Sequence, residues 1–244
     1  MKSSLWFRVG RLWAVGFLMM LLRLIQNRTG FDPATGLSLP SVAGTVLVVC
    51  IAVIFVLETV LALVRGKREK VSFDAHFAPP EKSMMPMVMG CMLLVAGGGL
   101  LAATAVMGGA GIAPVVTGVL VLVSGGSLLV LVRQMRGEDE ASLTTVLPAL
   151  FFGVFLVLTV YLPAASDPVL ARYYLQVLAA ALAAYAFAQL AGFFRLESSA
   201  RNFTLTANLA VMLCLAAMAD GQPALMLLYG GCAVVFSGFL ALQK

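Results

Sequence analysis

The sequence predicts an all-α integral membrane protein, a polytopic bundle of about eight transmembrane helices with both termini cytoplasmic. Three observations carry that expectation. The 244-residue chain is 61% hydrophobic and only 11% charged, with a mean hydropathy of +1.02, which is far more apolar surface than a soluble domain of this size buries. Its apolar residues form long unbroken runs rather than the alternating strands of roughly ten residues that build an outer-membrane barrel. Its basic residues gather at alternate ends of those runs.

Cut at charges, prolines and glycine-rich turns, the runs give spans at 5–27, 41–64, 84–107, 113–132, 143–163, 168–194, 203–219 and 223–242, within a single transmembrane domain covering 1–244. The first span is the weakest, because the uninterrupted stretch from Leu12 to Leu22 covers only about 17 Å. A cleaved export signal needs a small-residue site after its apolar core, and "RLIQNRTG" has none. An interfacial helix would strand Lys2, Arg8 and Arg11 on the outer side, since "RGKREK" pins the far end of the second span inside. An uncleaved span is therefore expected, with Arg23 snorkelling outward and Trp6 and Trp13 near the inner interface.

The stretch "RLIQNRTGFDPATGLSLPS", Arg23 to Ser41, then becomes the first outer loop. Asp32-Pro33-Ala34-Thr35 reads as a type I turn, and Ser38 or Ser41 can cap the second span. Pro86 and Pro114 fall in the first turns of their spans, where proline costs little. Pro148 lies near the start of the fifth span and is read as freeing a backbone carbonyl there. "GEDEAS", Gly137 to Ser142, reads as a helix start with acids in its first turn.

Glycines recur at heptad spacing: Gly90 and Gly97; Gly111, Gly118 and Gly125; Gly231 and Gly238. Such positions stay on one helix face and let backbones approach closely. Two four-span halves divided near Glu140 share one orientation, and "VSGGSLLVLV" weakly matches "LYGGCAVVFSGFLAL", the pattern of a parallel repeat. The four cysteines, Cys50, Cys91, Cys214 and Cys232, each lie inside an apolar run and read as small packing residues rather than a disulfide or metal set.

Lys2, Arg8, Arg11, Arg65, Lys67, Arg68, Lys70, Lys82, Arg133, Arg136, Arg195, Arg201 and Lys244 all fall on one side, leaving only Arg23, Arg28 and Arg172 of the sixteen basic residues on the other. That asymmetry predicts both termini on the cytoplasmic side of the cell membrane, with a bacterial inner membrane expected. It also accounts for the net charge of +5 and pI near 9.2 without a nucleic-acid partner. The lipid bilayer is the expected partner, together with other membrane subunits.

Most enzyme classes fail on a missing residue. The only histidine is His76, in "VSFDAHFAPPEK", so neither a H-E-x-x-H zinc site nor a buried Ser/His pair can be built. With Asp74 and Glu81 near it, His76 invites a metal or proton-sensor reading, but a solvated loop is expected. "GGGLLA", Gly97 to Ala102, matches a dinucleotide-binding turn by letter alone, since no strand precedes it. There is no Walker A lysine, so an ATP-driven machine would need an ATPase subunit from another chain. No cofactor, metal site or catalytic constellation is expected.

One intramembrane charge remains, Glu58, seven residues before Arg65 and so about 10 Å below the inner interface. A carboxylate there costs roughly 3 kcal/mol or more unless paired, protonated or hydrated. By the same ruler Gln189, Asn208, Ser127 and Ser237 lie at similar depth, and Tyr174, Tyr185 and Gln189 share one face of the sixth span opposite Arg172 and Gln176. These residues read either as a solute, cation or proton site centred on Glu58 or as interhelical hydrogen-bonding contacts, with Glu58 pairing Arg11 or snorkelling. On the outer face, Arg23, Arg28 and Asp32 could meet Asp167, Arg172 or Asp220 as a lid. The function expected is a small permease or membrane subunit of a transport system for a small solute or cation; the alternative is a non-catalytic scaffold, assembly factor or regulator.

Overall fold

The computed structural model describes residues 2–32, 34–35, 37–65, 70–77, 85–109, 112–135, 141–167, 169–220 and 222–243. Among them are eight helices long and apolar enough to cross a membrane, so the chain is an all-α polytopic bundle. They are α1 (Lys2–Thr29), α2 (Val42–Arg65), α4 (Met85–Gly108), α5 (Ile112–Gln134), α6 (Leu147–Ser166), α7 (Tyr174–Gly192), α8 (Ala200–Ala217) and α9 (Pro223–Ala241), with a one-turn helix α3 (Phe73–His76) after α2. Arg8 Nη1 donates to Gln243 Oε1 at 3.2 Å, so the beginning and end of the chain share one end of the bundle, called the terminal end below.

α4 to α9 pack as neighbours in order, and α9 closes back on α4. α1 lies against α8, and α2 packs mainly on α1 and α8. Burial follows from that order: 78% of the spans of α8 and α9 is enclosed, against 17% of α2, whose Val and Leu face is left for lipid. α8 is the hub, touching α1, α2, α7 and α9. Its partner α7 is smooth, presenting Ala179, Ala180, Ala183 and Ala186, while Phe187 packs on Phe236 of α9 with ring centroids 4.6 Å apart.

Without a hydrophobic effect between helices in lipid, close backbone approach must supply the packing. α4 and α5 nearly touch: a Cβ added to Gly98 would lie 2.8 Å from the Gly118 carbonyl oxygen, and one added to Gly118 would lie 2.7 Å from the Gly98 oxygen. Both obstacles are backbone and cannot swing aside. Gly118→Ala is expected to destabilise the bundle by about 1–3 kcal/mol, read as a lower melting temperature in detergent; an unchanged melting temperature would contradict this crossing.

Helix ends follow local chemistry. α1 stops where the Gly30 N–H reaches Gln26 O at 2.7 Å. α2 starts after Ser41, whose Oγ accepts from the Gly44 N–H, so Ser41 and not Ser38 is the cap. Ser38 instead bridges to Phe31, and Asp32 accepts from the Ala34 N–H and the Thr35 hydroxyl, forming a small turn whose Pro33 lies outside the described residues. The Thr35 hydroxyl and then the Ala34 N–H hold the Asp32 carboxyl below the usual carboxylate range. A depressed acid stabilises the folded loop at higher pH and loses that contribution as pH falls through its folded pKa. Asp32→Ala is therefore expected to remove the acid-side loosening of this loop, followed by NMR.

Two expectations need correction. Pro148 sits in the first turn of α6, preceded by a 3-10 turn at Leu143–Thr145, so it frees no interior carbonyl. His76 is not solvated: α3 seats it 9% exposed against Phe193 at 4.9 Å, beside Phe77 and Phe203. Glu81 and the acids of "GEDEAS" lie outside the described residues. All four cysteines are free thiols.

Candidate functional site

Two of the four arginines of α1, Arg11 and Arg23, lie twelve residues apart, about 18 Å along the helix. Each holds a carboxylate, and each carboxylate is tied to α8 or its end. The two clamps differ in how firmly they are built.

At the terminal end, Arg11 Nη2 donates to Glu58 Oε1 at 2.6 Å and Asn208 Nδ2 donates to Glu58 Oε2 at 2.8 Å. One carboxylate on α2 therefore joins α1 to α8. Its side chain is 9% exposed while that of Arg11 is 43% exposed. Asn208 Oδ1 is buried with no hydrogen-bond partner. Two residues further along α1, Trp13 Nε1 donates to Ser237 Oγ at 2.9 Å, fastening α1 to α9.

At the opposite end, Arg23 is 1% exposed. Its Nε donates to Asp220 Oδ1 at 2.7 Å, Nη1 to Gln26 Oε1 at 2.9 Å and to the Ala171 carbonyl at 3.2 Å, and Nη2 to the Arg172 carbonyl at 2.5 Å. The guanidinium lies 5.2 Å from the Tyr174 ring centroid. Asn27 Nδ2 donates to Ala219 O and to Asp220 Oδ1, and Asp220 Oδ2 is buried without a partner. A guanidinium supplies donors in a fixed planar fork, and here that fork binds α1 to both the α6–α7 and α8–α9 connections.

Between the clamps the two helices touch. A Cβ added to Gly16 would lie 2.7 Å from Leu215 Cδ1 and 3.3 Å from the Met212 carbonyl oxygen. α1 is thus held at three levels, by charge at each end and by close packing in the middle.

The residues singled out by depth do not all converge. Glu58 and Asn208 meet. Ser237 sits beside that pair's helix but serves Trp13 and its own Ala233 carbonyl. Gln189 accepts from Ser198 in the α7–α8 connection, and Ser127 bonds the Ser124 carbonyl of its own helix, which packs between α4 and α6. Tyr185 is 50% exposed, so it belongs to the lipid face of α7, whereas Gln176, expected opposite, is buried and its carbonyl accepts from Tyr229. Depth is one coordinate; helix phase and neighbour order decide the rest.

On the outer-face set, Arg23 and Asp220 pair, and Arg23 is enclosed rather than snorkelling. The Arg172 guanidinium lies 5.4 Å from the Phe31 ring, linking the first loop to the α6–α7 connection. Asp167 caps its own turn through the Val169 N–H and hydrogen-bonds Tyr173; burial, then that carboxylate, pushes the Tyr173 hydroxyl up. Arg28 is exposed and Asp32 serves its local turn, so neither joins the Arg23 cluster. The residues that sequence reading missed are Gln26 and Asn27, whose signal is their spacing of three and four from Arg23 on one face of α1. Compared with family models, curated proteins and solved structures, the chain matches none of them.

Proposed function

We propose that this multi-pass membrane protein is a small permease, or the membrane subunit of a transport system, for a small solute or cation, and that the Arg11–Glu58–Asn208 clamp is its gate at a cytoplasmic terminal end. The observation that carries the reading is the contrast between the clamps. Buried ion pairs are a poor way to gain stability, because desolvation offsets much of their attraction. A pair with both partners enclosed is a fixture, as at Arg23 and Asp220. A pair whose cation is 43% exposed can open toward water at small cost, as at Arg11. α1 then moves at its terminal end while Arg23 anchors the other.

Glu58→Gln preserves the shape and an oxygen to accept the Asn208 hydrogen bond but removes the charge. In proteoliposomes screened against a panel of small solutes and cations, the variant is expected to fall to background uptake while remaining folded and monodisperse. Undiminished uptake would remove Glu58 from the mechanism.

A scaffold or assembly factor is the second reading, and the lipid-facing surface of α2 favours it, since that helix packs mainly on α1 and α8 and 17% of its span is enclosed. Purification in mild detergent separates the two: a stoichiometric membrane partner on α2, lost when α2 surface valines are replaced by larger side chains, supports the scaffold, and solute uptake by the isolated chain supports the permease.

A further inference from the structure

We infer that the terminal clamp binds an organic cation that carries N–H donors, a protonated amine or a guanidinium, and that the Arg11 side chain fills that ligand's seat until it arrives. The inference rests on the permease reading and names its substrate class.

The acceptors of the clamp set the chemistry. Both Glu58 oxygens face N–H donors, one from a guanidinium and one from an amide, an arrangement that holds the carboxylate in its charged form. An amide beside a carboxylate must present its NH2, and Asn208 does so through Nδ2 at 2.8 Å. Its Oδ1 is bonded to the same carbon, so it lies one amide width from that hydrogen bond. Asn208 is 4% exposed, and Oδ1 is buried with no hydrogen-bond partner. An acceptor in that state costs free energy until a donor reaches it. Arg11 serves Glu58 Oε1 and leaves this oxygen bare.

A free cation can do what the tethered one does not. The Arg11 side chain is 43% exposed against 9% for Glu58, so it can swing out and vacate a space of guanidinium size beside the carboxylate. A head that is not fixed to α1 then settles with one N–H on Glu58 and a second on Asn208 Oδ1. The exchange is cation for cation, so the charge at the site is unchanged, and the orphaned acceptor gains its donor. Asn208 keeps its own bond to Glu58 throughout.

Other ligands fit less well. Hard metal cations take about six or more oxygens. Here Glu58 Oε1, Glu58 Oε2 and Asn208 Oδ1 are on offer, and among the described residues no group of three or more His, Cys, Asp or Glu gathers to add to them. An N–H cation needs one acceptor for each donor it buries, which so small a set supplies. A quaternary ammonium would satisfy the charge of Glu58 and leave Asn208 Oδ1 bare, and an anion would be repelled by the carboxylate.

Ligand-induced thermal stabilisation of the purified protein, titrated with methylammonium, methylguanidinium, trimethylammonium, tetramethylammonium or sodium chloride at constant ionic strength and pH, tests this directly. The expected result is saturable stabilisation by methylammonium and methylguanidinium, binding roughly 3–10-fold weaker for trimethylammonium, whose one N–H serves Glu58 alone, and none for tetramethylammonium or sodium. Arg11→Leu removes the tethered competitor and should tighten methylammonium binding about tenfold, as for a site open a tenth of the time. Asn208→Leu should bring the methylammonium to trimethylammonium ratio toward one, and Glu58→Gln should abolish binding. If Glu58→Gln does not fold, the tightening in Arg11→Leu makes the same assignment. Equal responses to methylammonium and tetramethylammonium, a response to sodium, or none to any cation overturns the substrate class, and a ratio unmoved in Asn208→Leu overturns the role of Asn208. Selective binding with no uptake of any bound cation into proteoliposomes keeps the site and removes the permease; Glu58-dependent uptake of another solute by a protein that binds no N–H cation does the reverse.

Discussion

Replacement of Arg23 by leucine is expected to cost about 3–5 kcal/mol, the effect of breaking a buried pair by removing one partner. Asp220 would keep a charge with only Asn27 to meet it, and the carbonyls of Ala171 and Arg172 would lose their donor in an enclosed site. Three elements then come apart together, because one guanidinium holds α1, the α6–α7 link and the end of α8. Thermal unfolding in detergent, followed by size-exclusion fluorescence, should show a large drop. The double variant Arg23→Leu/Asp220→Leu should recover part of it, since replacing both charges removes the orphan. Arg11→Leu should cost clearly less, because the Arg11 side chain is 43% exposed and Glu58 keeps Asn208. Equal losses at the two arginines would contradict the division into anchor and gate.

Phe77→Ala carries the second large effect, about 3–5 kcal/mol for emptying an aromatic site in a packed core. Phe77 is 2% exposed and lies 5.4, 5.5 and 5.5 Å from the rings of Phe193, Phe203 and Phe239. Around it α3 is a single turn that cannot hold itself as a helix. Aromatic contact and the short backbone bridges Lys70 to Ser199 and Phe77 to Gln243 fasten it across the terminal end. Removing the ring should release the segment while the eight long helices stay folded, so limited proteolysis between α2 and α4 is expected to accelerate with little change in helical content. Phe73→Ala, which loses a stacked contact to Phe194 at 4.6 Å, should act in the same direction.

These two sites also mark what the sequence made legible. Spans were readable because hydropathy and length decide them, and even the weak first span proved to run unbroken from Lys2 to Thr29. Its charges do not interrupt the helix, because pairing supplies what lipid cannot. Arg23 was misplaced by reasoning from residue type alone. The buried positions of α1 run Val9, Leu12, Gly16, Met19, Arg23, Gln26 and then Gly30, in steps of three and four, so helix phase already put Arg23 inside.

The Glu58–Asn208 meeting was within reach of a depth ruler, but Ser127 and Tyr185 share that depth and face elsewhere. Which helices adjoin is set by packing between distant parts of the chain, and no local pattern records that α2 lies on α8 and α5 on α6. His76 escaped for a similar reason. Its loop looks polar by composition, and Phe193 just past α7 and Phe203 on α8, far away in sequence, join Phe77 to make the place apolar.

The central claim is that α1 is anchored by Arg23 and released at Arg11. Spin labels at Phe7 and Glu197 report the terminal end, and labels at Thr29 and Gln222 report the other; all four positions are exposed. In a background with the native cysteines replaced by alanine, pulsed dipolar distances in liposomes should lengthen or broaden for the first pair when Glu58 is replaced by glutamine and stay fixed for the second. Arg11→Leu should change the first pair in the same way. Distances at the terminal end that ignore both substitutions, or movement at the Arg23 end instead, would contradict the account.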